Sequence, residues 1–427
     1  MSNIRNRKHA DGRIKNGQKR DEDGIQNDGF RWSLFFKMAI FIIVVLLPSC
    51  ILAFILLIDS PIEAEISKYR TPEPPQLTGP LATNDVLSSH CERLFEGELK
   101  GPESIAIKSG YLYTGTADGK ILQLNLEQKT IDTIATLGKP PCGKQIDEER
   151  SGRPLGVRFD VNGNLIVLDA YFGMYKINVT SRDVHQLFPC SWKIKGQELN
   201  LLNGLDIASD GVIYFTDSSR FSRKDFILDD LEGKPHGSFA FVFFSFITSG
   251  RLLKYDPSKN KTEVICRGLY FANGVQLSED NSYVLVSETP KAKIQKCYIS
   301  GPKRGQLETF AENLPGMPDD IRPSGSGGYW VAMGSCRDAD RFNIIHRLQQ
   351  YPWIRNQLAK TQKTFIKFAL PRCGLVIEVD KEGKVIRSLH DRYGETVSYV
   401  STIEEYHGYL YTGSFVTSFI GKVKISK

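Results

Sequence analysis

From residue 86 to the end, one short phrase recurs six times, and that recurrence constrains the fold more than any other feature. Each copy reads as an apolar strand, a Gly or Asp turn, a second strand, a polar break and a third strand. The first strands begin near Glu103, Leu155, Asn203, Asn273, Asp319 and Ser401. The second strands run from Tyr111 (YLYTGT), Leu165 (LIVLDA), Val212 (VIYFTDSS), Tyr283 (YVLVSET), Tyr329 (YWVAMG) and Tyr409 (YLYTGS). A unit this small cannot bury its apolar face alone and must stack on its neighbours, which predicts an all-β propeller. Six copies predict six blades, with a period of roughly 50 residues where no insertion intervenes. A β-sandwich would not repeat one phrase six times. Insertions are expected at about 220–250 and 335–372.

Ahead of the repeats, residues 38–58 carry no charge. About 21 apolar residues at 1.5 Å each span about 30 Å, the hydrocarbon thickness of a bilayer. A cleaved signal peptide would have a shorter apolar region and would not follow some 37 residues of chain. Arg5, Arg7, Lys8, Arg13, Lys15, Lys19, Arg20, Arg31 and Lys37 precede the span, whereas Asp59, Glu63 and Glu65 follow it. The positive-inside rule therefore predicts a type II, single-pass protein. Residues 1–37 are expected to be a disordered cytosolic tail, 38–58 a transmembrane helix, 59–85 a Pro-rich stalk, and 86–427 a propeller outside the cytosol. The host membrane is expected to be the plasma membrane or the endoplasmic reticulum. Asn178 and Asn260 head N-x-Thr sequons, which have meaning only on that side.

Seven of the eight cysteines lie outside the span, so an oxidising compartment leaves at least one unpaired. No CxxC pair exists, which speaks against zinc. The net charge is only +6 and no basic run interleaved with aromatics follows the span, so nucleic-acid binding is not expected.

The phrases GPESIAI, LYTGTADGKI, GRPLGVRFD, NGLDIASDGVIYFTDSS, GLYFANGVQLS, NLPGMPDDIRPS and YLYTGSF occur in that order. Together they resemble the strictosidine synthase-like propellers, over about residues 35–427. The resemblance implies kinship with paraoxonases, the gluconolactonase and regucalcin group, and a phosphofluoridate-hydrolysing propeller. In those enzymes calcium sits at one end of the central channel, on ligands from the starts of successive blades. Carried to this chain, the ligands would be Glu103, Asn203, Asn273 and Asp319. Calcium accepts such mixtures of carboxylate and amide oxygens. Taken singly, Asn-Gly and Asp-Asp pairs read as turns; recurrence at one phase of several blades favours ligands. Asp320 departs from the family pattern, which has Asn there.

The resemblance further implies a calcium-dependent arylesterase or lactonase acting on a small hydrophobic ester or lactone. Asp319 and Asp320 are the candidate bases. No G-x-S-x-G elbow or HExxH motif exists, and the seven histidines form no pair at catalytic spacing. Synthase activity is not expected, because Ser401 stands where the family has its catalytic Glu, and strand alternation turns at most one of Glu404 and Glu405 inward. The alternative is a non-catalytic, calcium-stabilised interaction module, since a fold does not fix a function. No protein partner is indicated. Ser151 also departs from the family, whose Cys there would pair with Cys142. Residues 238–250 (SFAFVFFSFITSG) read as a membrane-dipping loop, a strand extension or a retained intron. Residues 341–370, basic and interspersed with apolar residues, read as one or two amphipathic helices over a propeller face or against lipid headgroups.

Overall fold

The computed structural model describes residues 33–64, 71–225, 250–338, 348, 350–360 and 371–425. Contacts divide the chain into two units, residues 1–59 and 60–427. In the first, Ser33–Phe54 is an uninterrupted apolar helix with a mean hydropathy of 2.6. Its turn Ile42–Leu46 is π-helical, just ahead of Pro48. Proline clashes with the carbonyl four residues earlier and cannot donate to it, and a widened turn relieves both problems.

The second unit is a six-bladed propeller of antiparallel four-stranded sheets. Blade 1 is β2 (Ile105–Lys108), β3 (Tyr111–Gly115), β4 (Lys120–Asn125) and β5 (Thr130–Thr136). Blade 2 is β6 (Pro154–Phe159), β7 (Leu165–Asp169), β8 (Gly173–Ile177) and β9 (Val184–Pro189). Blade 3 is β10 (Leu202–Ile207), β11 (Ile213–Asp217), β12 (Gly250–Asp256) and β13 (Lys261–Leu269). Blade 4 is β14 (Ala272–Leu277), β15 (Tyr283–Glu288), β16 (Lys293–Tyr298) and β17 (Leu307–Ala311). Blade 5 is β18 (Gly316–Pro323), β19 (Tyr329–Cys336), β20 (Gly374–Val379) and β21 (Val385–Asp391). Blade 6 is β22 (Val400–Tyr406), β23 (Tyr409–Ser414) and β24 (Ile420–Lys424), with β1 (Cys91–Leu94) as its outer strand.

Three strands per copy were expected and four are found. The missed strands are the outer ones, and their periodicity is weak because solvent takes most of their side chains. In β9, for example, Val184, His185 and Gln186 are all exposed. β1 was missed for the same reason, yet it closes the ring by pairing Cys91 with Val423 and Leu94 with Ile420. A strand from the start of the domain thereby covers the edge left by its end.

The core is divided among the interfaces between blades. Leu165, Val167 and Ile177 pack on Ala106, Tyr113 and Ile121 between blades 1 and 2. Equivalent clusters fill the interfaces 2–3, 3–4, 4–5, 5–6 and 6–1. Cys266–Cys297 is a disulfide between blades 3 and 4, and Cys336–Cys373 closes the base of the β19–β20 connection. Cys91, Cys142 and Cys190 form no disulfide among the described residues. Cys142 is therefore free, as the serine at position 151 implied.

Where it is described, the segment 60–85 makes contacts with the propeller. Ile62 is buried, Thr71 Oγ1 donates to the Pro290 carbonyl at 3.4 Å, and Asn84 Nδ2 donates to the Ser388 carbonyl at 2.8 Å. These residues strap the propeller. Two long connections, 218–249 and 337–373, follow second strands. Residues 238–249 lie outside the described residues, and so does most of 341–370. Pro352–Lys360 is a helix, with Ala359 buried against Ile62 and flanked by Phe221 and Leu358.

Candidate functional site

The six inner strands β2, β6, β10, β14, β18 and β22 line a central channel, each against the next. Because the blades are antiparallel, every inner strand starts at the same end of the channel. At that mouth Glu103, Asn203, Asn273 and Asp319 line one small space with Ser104, Leu155, Asp320, Arg322 and Ser401. The four predicted ligands are only 5–8% exposed, so they face one another rather than solvent. The space between them is a small cavity of about 10 Å³. It has room for an ion or a water molecule.

The local cause is a bulge. The ladder to the second strand breaks register between Pro154 and Gly156, Leu202 and Leu205, Ala272 and Val275, Pro318 and Ile321, and Val400 and Thr402. The residues inside these breaks are Leu155, Asn203 with Gly204, Asn273 with Gly274, Asp319 with Asp320, and Ser401. A bulge releases residues from the ladder and re-aims their side chains. The Asn-Gly pairs are therefore not turns. A Cβ on Gly204 would lie 2.6 Å from the Asn273 carbonyl oxygen, and one on Gly274 would lie 2.3 Å from that of Asp319. Glycine is required there so that consecutive inner strands can approach.

Hydroxyls tie the mouth together across blades. Thr216 Oγ1 donates to the Asn273 carbonyl, Thr289 Oγ1 to that of Pro318, and Ser401 Oγ to that of Glu103, each at 2.7 Å. Ser401 is thus a tether between blade 6 and the start of blade 1.

Two cations that sequence reasoning missed enter this site. Arg153 is fully buried, with Nη2 2.8 Å from Glu103 Oε2 and Nη1 3.0 Å from the Gly101 carbonyl oxygen. Arg223 Nη2 lies 3.6 Å from the same Glu103 oxygen, and its Nε lies 3.9 Å from Glu148 Oε2. Burial, then the neighbouring charges of Glu103 and Asp320, hold the Asp319 carboxyl well above its ordinary range. The Arg223 charge and a hydrogen bond from Asn273 pull it the other way.

Asp320 lines the mouth, but its carboxylate is spent elsewhere. It accepts from Arg322 Nη1, from Thr402 Oγ1 at 2.8 Å and from the Ile321 amide at 3.0 Å. It belongs to a second, deeper ring. Arg158, Asp206, Gln276, Arg322 and Glu404 each stand three residues beyond a mouth residue. Gln276 Nε2 donates to Asp206 at 2.8 Å, and Arg322 Nε lies 3.3 Å from Glu404. In a regular strand residues i and i+2 share a face; the bulge makes the spacing three. That spacing recurs in the sequence and was the signal available. Burial pushes both Asp320 and Glu404 up to about 7 against the pull of Arg158. Glu405 turns the other way, accepting from Trp330 Nε1 at 2.7 Å.

Glu103, Asn203, Asn273 and Asp319 offer the oxygen ligands a hard cation takes, with Asp319 buried and crowded by like charge, although Arg322 lines the same space and Arg153 and Arg223 approach Glu103. The mouth is not a carboxylate cage: among the described residues no group of three or more His, Cys, Asp or Glu forms a metal-binding cluster.

A family profile described as strictosidine synthase matches residues 203–302, and one described as strictosidine synthase-like, N-terminal, matches residues 79–124. The adipocyte plasma membrane-associated protein of Danio rerio is 42% identical over 386 residues, covering 90% of this chain and 88% of that one. Its Homo sapiens counterpart is 40% identical over 413 residues, covering 95% of each. A gluconolactonase from Xanthomonas campestris superposes with a TM-score of 0.52 at 15% identity, covering 87% of this chain and 99% of that one, a likeness of fold.

Proposed function

This chain belongs to the adipocyte plasma membrane-associated protein family, and on that premise we propose that its propeller is a calcium-dependent hydrolase of small hydrophobic esters or lactones. One observation carries the reading: four oxygen-bearing side chains from four blades, up to 216 residues apart, meet around an ion-sized space. Glu103, Asn203, Asn273 and Asp319 would hold the calcium, which when bound supplies a Lewis acid for a carbonyl oxygen.

The remaining chemistry belongs to the chain. Arg153 orients Glu103 from behind. Asp319, buried and crowded, is the carboxylate available to take a proton from water, because Asp320 is engaged by Arg322 and Thr402. Ser401 offers no carboxylate, so amine–aldehyde condensation is not part of the reading.

The small space at the mouth also favours a second reading, a calcium-stabilised interaction module without catalysis. The detergent-solubilised full chain, assayed on phenyl acetate and on an aliphatic lactone, separates the two. The hydrolase reading expects turnover that is abolished by EGTA and reduced at least about a hundredfold by Asp319→Asn, which removes both a charged calcium ligand and the proposed base. Calcium-dependent stabilisation with no turnover of either substrate would leave the module.

A further inference from the structure

We propose that Arg223 is a built-in cation at the channel mouth, which competes with a divalent metal for Glu103 and Asp319. The inference rests on the calcium reading above and deepens it.

Arg223 comes from the connection after β11, which rises at the mouth end, and its position there is built. Phe221, two residues earlier, packs with Leu358 against buried Ile62 and Ala359. The Phe221 amide donates to Ser219 Oγ at 3.0 Å, and the Asp225 amide donates to the Ser222 carbonyl at 2.8 Å. Lys224 pairs with Glu149 on the outer side. The guanidinium is thereby directed inward, with its side chain only 15% exposed, between Glu103 and Glu148.

The charges show what this does. Among the described residues, and apart from the mutually paired Asp320 and Arg322, the mouth holds three carboxylates facing Arg223, namely Glu103, Glu148 and Asp319, and two guanidiniums, Arg153 and Arg223. With all five ionised the sum is 2 − 3 = −1. A divalent cation would overshoot to +1. Without Arg223 the sum is −2, which one divalent cation neutralises. Glu103 Oε2, a predicted ligand atom, already receives both guanidiniums. Arg153 approaches through the blade wall, fully buried at hydrogen-bond distance. Arg223 stands farther off, 3.6 Å from Glu103 on a long connection, so Arg223 is the cation that a metal would displace.

Calcium titration calorimetry on the detergent-solubilised full chain tests this, with melting followed in EGTA and in calcium. Arg223→Gln is expected to bind calcium at least about tenfold tighter than the parent, as removal of a unit charge a few ångströms away demands. It should also melt lower in EGTA, with calcium restoring the loss. Arg223→Lys, a compact ammonium that cannot fork between Glu103 and Glu148, is expected to fall between the two. If Arg223→Gln does not fold in either condition, Arg223→Lys alone decides, by binding tighter than the parent or not. If the parent binds calcium and neither variant binds it tighter, the inference is overturned and the calcium reading stands. If none of the three proteins binds calcium, both fall together.

Discussion

Individual side chains at the mouth and at its periphery make opposite demands on protons and ions. Binding to the native state alone stabilises it by about 2.7 kcal/mol at a hundredfold excess over Kd. Calcium at that excess should therefore raise the melting temperature by several degrees, and Glu103→Gln should abolish most of the rise by removing a charged ligand while keeping its shape. Identical melting of the parent in calcium and in EGTA would remove the metal from the mouth. His390 supplies a separate test, distant from the ring. Burial, and secondarily the Arg392 charge, push its imidazole down to about 4. Its ring Nε2 lies 2.8 Å from Ser388 Oγ, and its amide donates to Asn84 Oδ1 at 3.0 Å. Unfolding returns histidine to about 6.5, so below that pH the unfolded chain takes a proton that the folded one refuses. The stabilisation is whole above about 6.5 and is lost as pH falls toward 4, on the order of 3 kcal/mol across the window. Melting followed from pH 7 to 4 should show this fall, and His390→Gln should flatten it.

Strands and their junctions carry the next level. The inner strands of neighbouring blades approach through Gly156, Gly204 and Gly274, so a methyl group there must push a carbonyl of the following blade. Gly274→Ala is expected to destabilise the propeller by about 1–3 kcal/mol, the range of overpacking, and to disturb Asp319 at the same time. An unchanged denaturation midpoint would mean that the inner strands are not in contact at this point. Between β13 and β16, the Cys266–Cys297 disulfide closes a loop of 31 residues. Replacing both cysteines by serine should lower the unfolding free energy by about 3–4 kcal/mol, read from denaturant midpoints at constant slope. Sequence phrases located the first three strands of each blade because these bury most of their side chains and read as apolar runs. The outer strands lacked that signal, and the bulges that direct Asn203, Asn273 and Asp319 inward are visible only in the register of paired strands.

For the molecule as a whole, antiparallel order sorts the connections onto two ends. The candidate metal ring and both long connections occupy the end at which inner strands begin. Asn178 and Asn260 occupy turns between third and fourth strands, at the opposite end, and both are exposed. If the chain is type II, both sequons are accessible to the lumenal glycosylation machinery. Glycosidase should then shift the mass of the full chain, and protease added outside intact microsomes should spare residues 86–427. Digestion of the propeller under those conditions would reverse the proposed orientation.

Taken alone, the sequence determined what depends on local pattern: six units, from a phrase repeated six times; one apolar helix, from an uncharged run; and four candidate ligands at one phase of four units, which line one space at the channel mouth. What required the tertiary structure was everything set by distant partners. β1 closes blade 6 because its partner β24 lies more than 300 residues away. Arg153, Arg223 and Glu148 meet Glu103 and Asp319 although no motif joins them. The Asp320 carboxylate is taken up by Arg322 and Thr402 although it lines the mouth. The residue types were legible in advance. The charge balance at the mouth was not, because it is a sum over side chains that only the closed ring brings together.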